Sequence, residues 1–419
     1  MRLLLTVFAG AFAVLLGVAA ALGAGSEWVL EWKQVAPIPS DSPILVLPDG
    51  VHVMAGAGPH RDGPVLVNVK TGYTKPLPLA LHWVPSLVWS SGRHCFALSG
   101  DLPTGSYHHG LWVSRADFSE LRLLDRQPYT QGVDGPWPVA WLRNDTWLVC
   151  HLWHYAEGEK PGTREGRLFK VDGSRRRPAL QWETEAVWSG KSDQGARVHK
   201  GAIEVRPFGM GWVKRYALSG PGRYEVLDFS DDARYIAYAR YHGKKFAWGE
   251  GREKELFTPG SVWLLDTATG KHQHIVGGNY AGVRAAFSPQ SDRLACSLTL
   301  GSEGCGSLCE ACVASVPQGQ VRFLVAPPGS QGARGSYRLK WSPDGRRLEG
   351  GNTLGHSESS WLFDRDGNFI ASLEKEGWHT GESGLEWLPA GNRFVDVLFK
   401  DSEGYESGTL FVATISRRN

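Results

Sequence analysis

From about residue 43 onward, short apolar runs alternate with clusters of Gly, Pro, Asp, Asn and Ser. One unit recurs: an aromatic or large apolar anchor, a tight turn, and an apolar side chain seven positions after the anchor. Its clearest copy is Trp341-Ser342-Pro343-Asp344-Gly345, with Leu348 as partner. Pro343 pre-sets φ for a turn, Asp344 can hydrogen-bond its own backbone, and Gly345 tolerates a positive φ. Further copies begin at Leu47, Trp89, Trp141, Phe229, Phe287 and Trp387, with partners Met54, Phe96, Leu148, Ile236, Leu294 and Phe394. Each copy predicts two strands joined by a hairpin.

Most copies continue into a second hairpin, as in Val262-Trp263-Leu264-Leu265-Asp266 leading to His274-Ile275-Val276, and Trp361-Leu362-Phe363-Asp364 leading to Phe369-Ile370-Ala371. Four short strands per unit, repeated every 42 to 58 residues, is the signature of a β-propeller. The anchors give seven blades. One interval, from Trp141 to Phe229, is 88 residues and leaves room for an eighth at Val187-Trp188-Ser189-Gly190, where Gly195 breaks the pattern. An open ring would expose a strand edge. Residues 28–36 are therefore expected to supply a strand to the last blade, closing the ring against Leu410–Ile415.

The aromatic-Ser-Pro-Asp-Gly pattern resembles the TolB-like and WD40-like (PD40) β-propeller repeats of bacterial envelope proteins. The resemblance covers roughly residues 43–419 and is close at 229–238, 287–296 and 341–348. It implies a fold and leaves the chemistry open.

Composition agrees with an all-β chain: Gly 52, Pro 24 and Trp 18 accompany few long helical patterns. A formal net charge of +2 gives no nucleic-acid-binding surface. Residues 1–24 stand apart: after Arg2 an uncharged apolar run ends in small residues up to Ala24. This reads as a signal peptide cleaved near Ala24, or as an uncleaved membrane anchor, preceding a single propeller domain over 25–419. Either reading places the propeller outside the cytoplasm: periplasmic, secreted or membrane-anchored.

Call the strands of each blade a to d. The anchor turn joins a to b and the Thr-Gly or Asp-Gly turn joins c to d, so both lie on one rim. The longer b–c connections lie on the other. They carry Asp101, Tyr107, His108 and His109; Trp153 and His154; His242 and Trp248; His356; and Tyr405. Chemically rich loops on a rigid scaffold suit binding. Cys296, Cys305, Cys309 and Cys312 are candidates for a disulfide or a metal site, with the disulfide favoured outside the cytoplasm. Cys95 and Cys150 are at even and odd offsets from their anchors, so they point to different faces and read as buried thiols. The His151–His154 spacing is not a zinc signature in a strand. Asp364-Arg365-Asp366-Gly367-Asn368 fails as a calcium loop, because Phe369 and Lys375 occupy the positions that need Gly and Glu. No Gly-x-Ser-x-Gly elbow occurs.

The expected function is a non-catalytic module that binds a protein, or a glycan, through its b–c rim, without a cofactor. Contact with a membrane would come only through an uncleaved N-terminal segment. The alternative is a hydrolase or lyase at the mouth of the central channel, drawing on Asp101, His108, His154, His242 and His356.

Overall fold

The computed structural model describes residues 28–38, 44–55, 65–77, 86–90, 95–101, 108–115, 120–128, 133–142, 145–154, 163–248, 255–300, 309–325, 337–352, 360–373, 375–380, 385–400 and 408–417. They form eight antiparallel blades, each with its strands in the order a, b, c, d. Blades 1 to 4 span 45–76, 86–128, 133–178 and 187–217, and blades 5 to 7 span 223–280, 282–323 and 337–372. In blade 8 strand a is split into Trp378–Thr380 and Glu386–Trp387, both paired with strand b, Arg393–Lys400. Strand c is Gly408–Arg417, and the N-terminal strand Trp28–Ile38 is strand d. That strand runs antiparallel to strand c from Trp28↔Arg417 to Ile38↔Gly408, so the two ends of the chain close the ring as expected.

The count is eight, not seven. Blade 4 uses Val187–Trp188 as strand a and pairs Trp188 with Gly195, the same register that pairs Trp341 with Leu348. The missing apolar partner has a steric cause. A Cβ on Gly195 would stand 2.8 Å from the Trp182 ring, 2.9 Å from Ala186 and 3.1 Å from Trp188. Trp182, from the short helix Gln181–Glu185 between blades 3 and 4, fills the space that Leu or Phe fills elsewhere.

Blade 1 also differs from the sequence reading. Its ladder pairs Val46 with Val53, and Leu47 takes the place that Ser342 has in blade 7. The anchor is therefore Val46, one residue before Leu47. A slip of one residue changes the face: Val53 packs toward blade 8, while Leu47 and Met54 pack toward blade 2.

The repeat motif has two physical jobs. Within a blade, the serine clamps the turn. Ser342 Oγ accepts from Arg347 N at 2.9 Å and donates to Asp344 Oδ1 at 2.6 Å; Asp344 Oδ1 also accepts from Arg346 N. Ser230 with Asp232, and Ser288 with Asp292, repeat the clamp. All three serines are buried. Gly345, Gly50 and Gly391 take positive φ (60°, 64° and 73°) in the same turn position, which explains the glycine. Between blades, the tryptophan anchor is a staple. The indoles of Trp141, Trp341 and Trp387 donate to the carbonyls of Val88, Ala286 and Lys340, each on strand a of the preceding blade. Where the anchor is Phe287, which has no donor, Asp228 of blade 5 takes over: its carboxylate accepts from Phe287 N at 2.7 Å and Phe229 N at 2.8 Å.

The core sits in the wedges between neighbouring blades. Cys95 of blade 2 and Cys150 of blade 3 do point to opposite faces of their own blades, yet opposite faces of adjacent blades meet, and both lie in one cluster.

Candidate binding rim

The two rims differ as the repeat register implies. On one, the a–b turns of blades 1, 5, 6, 7 and 8 close by hydrogen bonds across three residues (Gly345 N to Ser342 O, 2.8 Å; Gly391 N to Leu388 O, 2.9 Å), and most c–d turns are nearly as tight. The b–c connections on the other rim are longer. Blade 4 inverts the rule. Its b–c turn is only Lys200-Gly201, and its c–d connection is the longer Phe208–Val213.

Several candidate residues belong to strands and not to loops. Asp101 ends strand b of blade 2 and His108 begins strand c. Trp153 and His154 end strand b of blade 3. Trp248 lies in a small hairpin, Phe246–Trp248 against Glu255–Phe257, inserted in the b–c connection of blade 5, and His242 is exposed just before it. Tyr107, His356 and Tyr405 lie outside the described residues, as does Cys305.

His151 and His154 face opposite ways along one strand, so they do not converge. His154 faces blade 2, where it enters a charged chain that local sequence did not reveal. His154 Nε2 lies 3.2 Å from Glu165 Oε2, and Arg167 Nε donates to Glu165 Oε1 at 2.9 Å. Arg167 also reaches the buried Asp125 of blade 2 at 3.6 Å, and Arg176 donates to Asp125 at 3.1 Å. The Arg167 hydrogen bond, with His154 adding to it, holds the Glu165 carboxyl below its usual range. The signal for this chain was charge at alternate strand positions: Glu165 and Arg167 share a face with Phe169, where a buried strand would carry apolar residues.

His151 faces blade 4. Burial, with the nearby Arg164 charge, lowers its pKa to about 4, and its ring bonds the Thr184 backbone. It is a neutral core imidazole whose Nε2 has no partner among the described residues. At blades 5 and 6 the rim is aromatic and charged. The Arg223 guanidinium stacks 4.2 Å from the Tyr241 ring, and Tyr280 Oη donates to Glu310 Oε2 at 2.6 Å. Burial, then the Glu310 contact, raises the Tyr280 pKa.

Cys309 and Cys312 are not in a loop. Cys309 begins strand c of blade 6, and Cys312 sits at the middle of that strand, directly opposite Cys296 on strand b. Cys309 Sγ donates to Thr299 Oγ1 at 3.7 Å. The hydrogen bond with Cys312, and then burial, push the Cys296 thiol well up. Among the described residues no group of three His, Cys, Asp or Glu is arranged to hold a metal ion.

No family model and no curated protein sequence matches the chain. Solved structures do. TolB from Acinetobacter baumannii is 13% identical over 86% of this chain and 82% of that one, with a TM-score of 0.35. The β-propeller domain of the trilobed protease from Pyrococcus furiosus is 9% identical over 76% and 92%, with a TM-score of 0.44. An oligogalacturonate lyase in complex with manganese is 12% identical over 94% and 98%, with a TM-score of 0.47. The chain is a β-propeller in fold. Its eight four-stranded antiparallel blades carry that statement by themselves.

Proposed function

We propose that this chain is an exported propeller that binds a protein partner through its b–c rim. The supporting observation is the division between the rims: tight turns close one, while the other carries the longer connections, the blade 5 hairpin, and the aromatic and charged groups at Arg223, Tyr241, Tyr280 and Glu310. The scaffold beneath is rigid, so these groups hold their positions without a ligand. A glycan is the second class of ligand that such aromatic–polar surfaces fit. Affinity capture from cells with wild-type protein should recover a partner that is lost when residues 246–257 are replaced by a two-residue turn. Recovery unaffected by that replacement would count against the reading.

A second reading, a hydrolase or lyase at the same rim, is favoured by one observation. The Glu165 carboxylate orients the imidazole of His154, an arrangement suited to proton transfer. Turnover of glycan or ester substrates that is lost in His154→Ala would establish it; no turnover across such panels would remove it.

A further inference from the structure

We propose that the groove between blades 4 and 5, where it opens on the b–c rim, takes an acidic peptide segment of the protein partner. The proposal rests on the reading of that rim as a protein-binding surface, and names the chemistry that the partner brings to it.

The groove follows from the short b–c turn of blade 4. Counted from Gly195, blade 4 turns back at Lys200; counted likewise from Ile236, the paired residue of blade 5, strand b has reached Tyr241 and continues. The chain then passes exposed His242, Lys244 and Lys245 and enters the hairpin Phe246–Trp248 against Glu255–Phe257. Blade 5 therefore rises as a step beside the tip of blade 4.

The face that blade 5 turns toward blade 4 is aromatic across all four strands. Tyr224, Tyr238 and Trp263 come from strands a, b and c, with ring centroids 6.4 Å apart at each step. His274 of strand d stands 5.0 Å from Trp263, edge to face. Tyr224 and Trp263 pack against the core shared with blade 4 but stay partly exposed, and His274 is exposed.

Arg240 is set into this face. Its guanidinium lies 5.8 Å from the Tyr224 ring and 6.0 Å from the Trp263 ring. The link from blade 4 frames it from the other side. Tyr224 Oη donates to the carbonyls of Ser219 and Gly220, Arg240 donates to the Pro221 carbonyl at 3.4 Å, and a Cβ on Gly220 would come 2.5 Å from Arg240 Nη2. The part-buried Arg167, Arg197 and Arg293 all meet carboxylates. Among the described residues no carboxylate pairs with Arg240, and its buried Nε has no acceptor. A carboxylate brought by a partner supplies the acceptor that the fold omits.

The charge around Arg240 has the same sign. Lys200 at the blade 4 tip and Lys244 and Lys245 on the step are exposed, and none of them is in an ion pair among the described residues. His242 is close enough that, after burial, its charge helps to lower the His274 pKa. The nearby acid, Glu225, lies on the opposite face of blade 5, 3.9 Å from Arg223. On a chain with a formal net charge of +2, four fixed cations without a carboxylate make a local positive field. The cations run along the step from Lys200 to Lys245, which suits a row of carboxylates on an extended chain. Trp, Tyr and Arg are also the side chains that anchor protein partners most strongly. A sugar would need an open ring face, whereas Trp263 already has Tyr238 stacked on it at 23° and Arg240 over it.

The test measures fluorescence anisotropy of a fluorescein-labelled peptide of alternating Glu and Leu, titrated with the full chain, beside the same peptide with Gln for Glu. The Glu peptide should bind about tenfold more tightly or better, and more weakly as salt rises. The Lys244→Glu, Lys245→Glu variant changes only exposed side chains and should lose that preference, as should Arg240→Gln. The Lys75→Glu, Lys271→Glu variant makes the same change of net charge elsewhere and should keep it. Equal binding of the two peptides, or equal loss in both double-lysine variants, would overturn the site. Tighter binding of an oligouronate than of the Glu peptide would overturn the assignment to a protein. Capture of the cellular partner should fall in the Lys244→Glu, Lys245→Glu variant. Capture that is lost on replacing residues 246–257 but unchanged in that variant would keep the rim function and overturn this inference. No capture by the wild type would refute the rim function, and the peptide measurement would still decide the site.

Discussion

Ser342→Ala tests the account of the repeat motif with the removal of one oxygen atom. Ser342 is fully buried, so no solvent can replace its hydroxyl. The hydroxyl accepts from Arg347 N at 2.9 Å and donates to Asp344 Oδ1 at 2.6 Å. In the alanine variant the Arg347 N–H keeps no acceptor within the turn, whereas Asp344 still holds Arg346 N and faces partly to solvent. Leaving one buried donor unsatisfied costs about 1–3 kcal/mol, and a cavity of one oxygen adds little. The expected loss is therefore about 2 kcal/mol for Ser342→Ala, and the same for Ser230→Ala and Ser288→Ala, whose clamps match. Asp344→Ala should cost less, about 1 kcal/mol, because the Ser342 hydroxyl and one exposed amide lose a partner and the Arg347 guanidinium, 3.6 Å away, loses a long ion pair but keeps its bond to the Gly391 carbonyl. Urea unfolding followed by far-UV circular dichroism measures this, the midpoint falling with the slope unchanged. Losses under about 0.5 kcal/mol for all three serines, or a larger loss for Asp344→Ala than for Ser342→Ala, would refute the clamp.

Three further outcomes are expected. Trp341→Phe keeps most of the ring but removes the staple to the Ala286 carbonyl, and should cost about 1–3 kcal/mol by the same unfolding assay, against about 3–5 kcal/mol for Trp341→Ala. Gly195→Leu completes the repeat on paper yet should destabilise by about 1–3 kcal/mol or more, because its Cβ meets Trp182 at 2.8 Å; a neutral or stabilising result would contradict the packing described. Burial raises the Asp228 pKa to about 6 against its two backbone hydrogen bonds. The native state therefore holds this proton more tightly than the unfolded chain, and the resulting stability is present below about pH 4 and lost as pH rises through about 6. At about 1.4 kcal/mol per unit the swing is about 3 kcal/mol. Melting profiles from pH 4 to 8 should show it in the wild type and a flatter profile in Asp228→Asn.

The fold was legible because the motif is physical. A buried serine clamp and a tryptophan staple need specific residues at a fixed spacing, so they recur in sequence wherever they recur in space. Blade 4 was hidden because a side chain from outside the repeat, Trp182, filled the core slot and forced Gly at 195. Blade 1 slipped by one because Leu47 replaced the serine and left no aromatic to mark the register. The rim assignment followed from strand alternation and needed no side-chain detail. The His154–Glu165–Arg167–Asp125 chain was not legible. Its members come from two blades, and their meeting depends on which face of one blade meets which face of the next.

The closing of blade 8 by Trp28–Ile38 also governs when the molecule can finish folding. The strand made first pairs with the strand made last, across nearly the whole chain. Until Gly408–Arg417 has been made, Trp28–Ile38 has no partner strand and the ring stays open. The ring therefore cannot lock prematurely, and its final step is a long-range search, slow by its contact order. Completion of the last blade is thus the step that turns a row of finished blades into a closed ring.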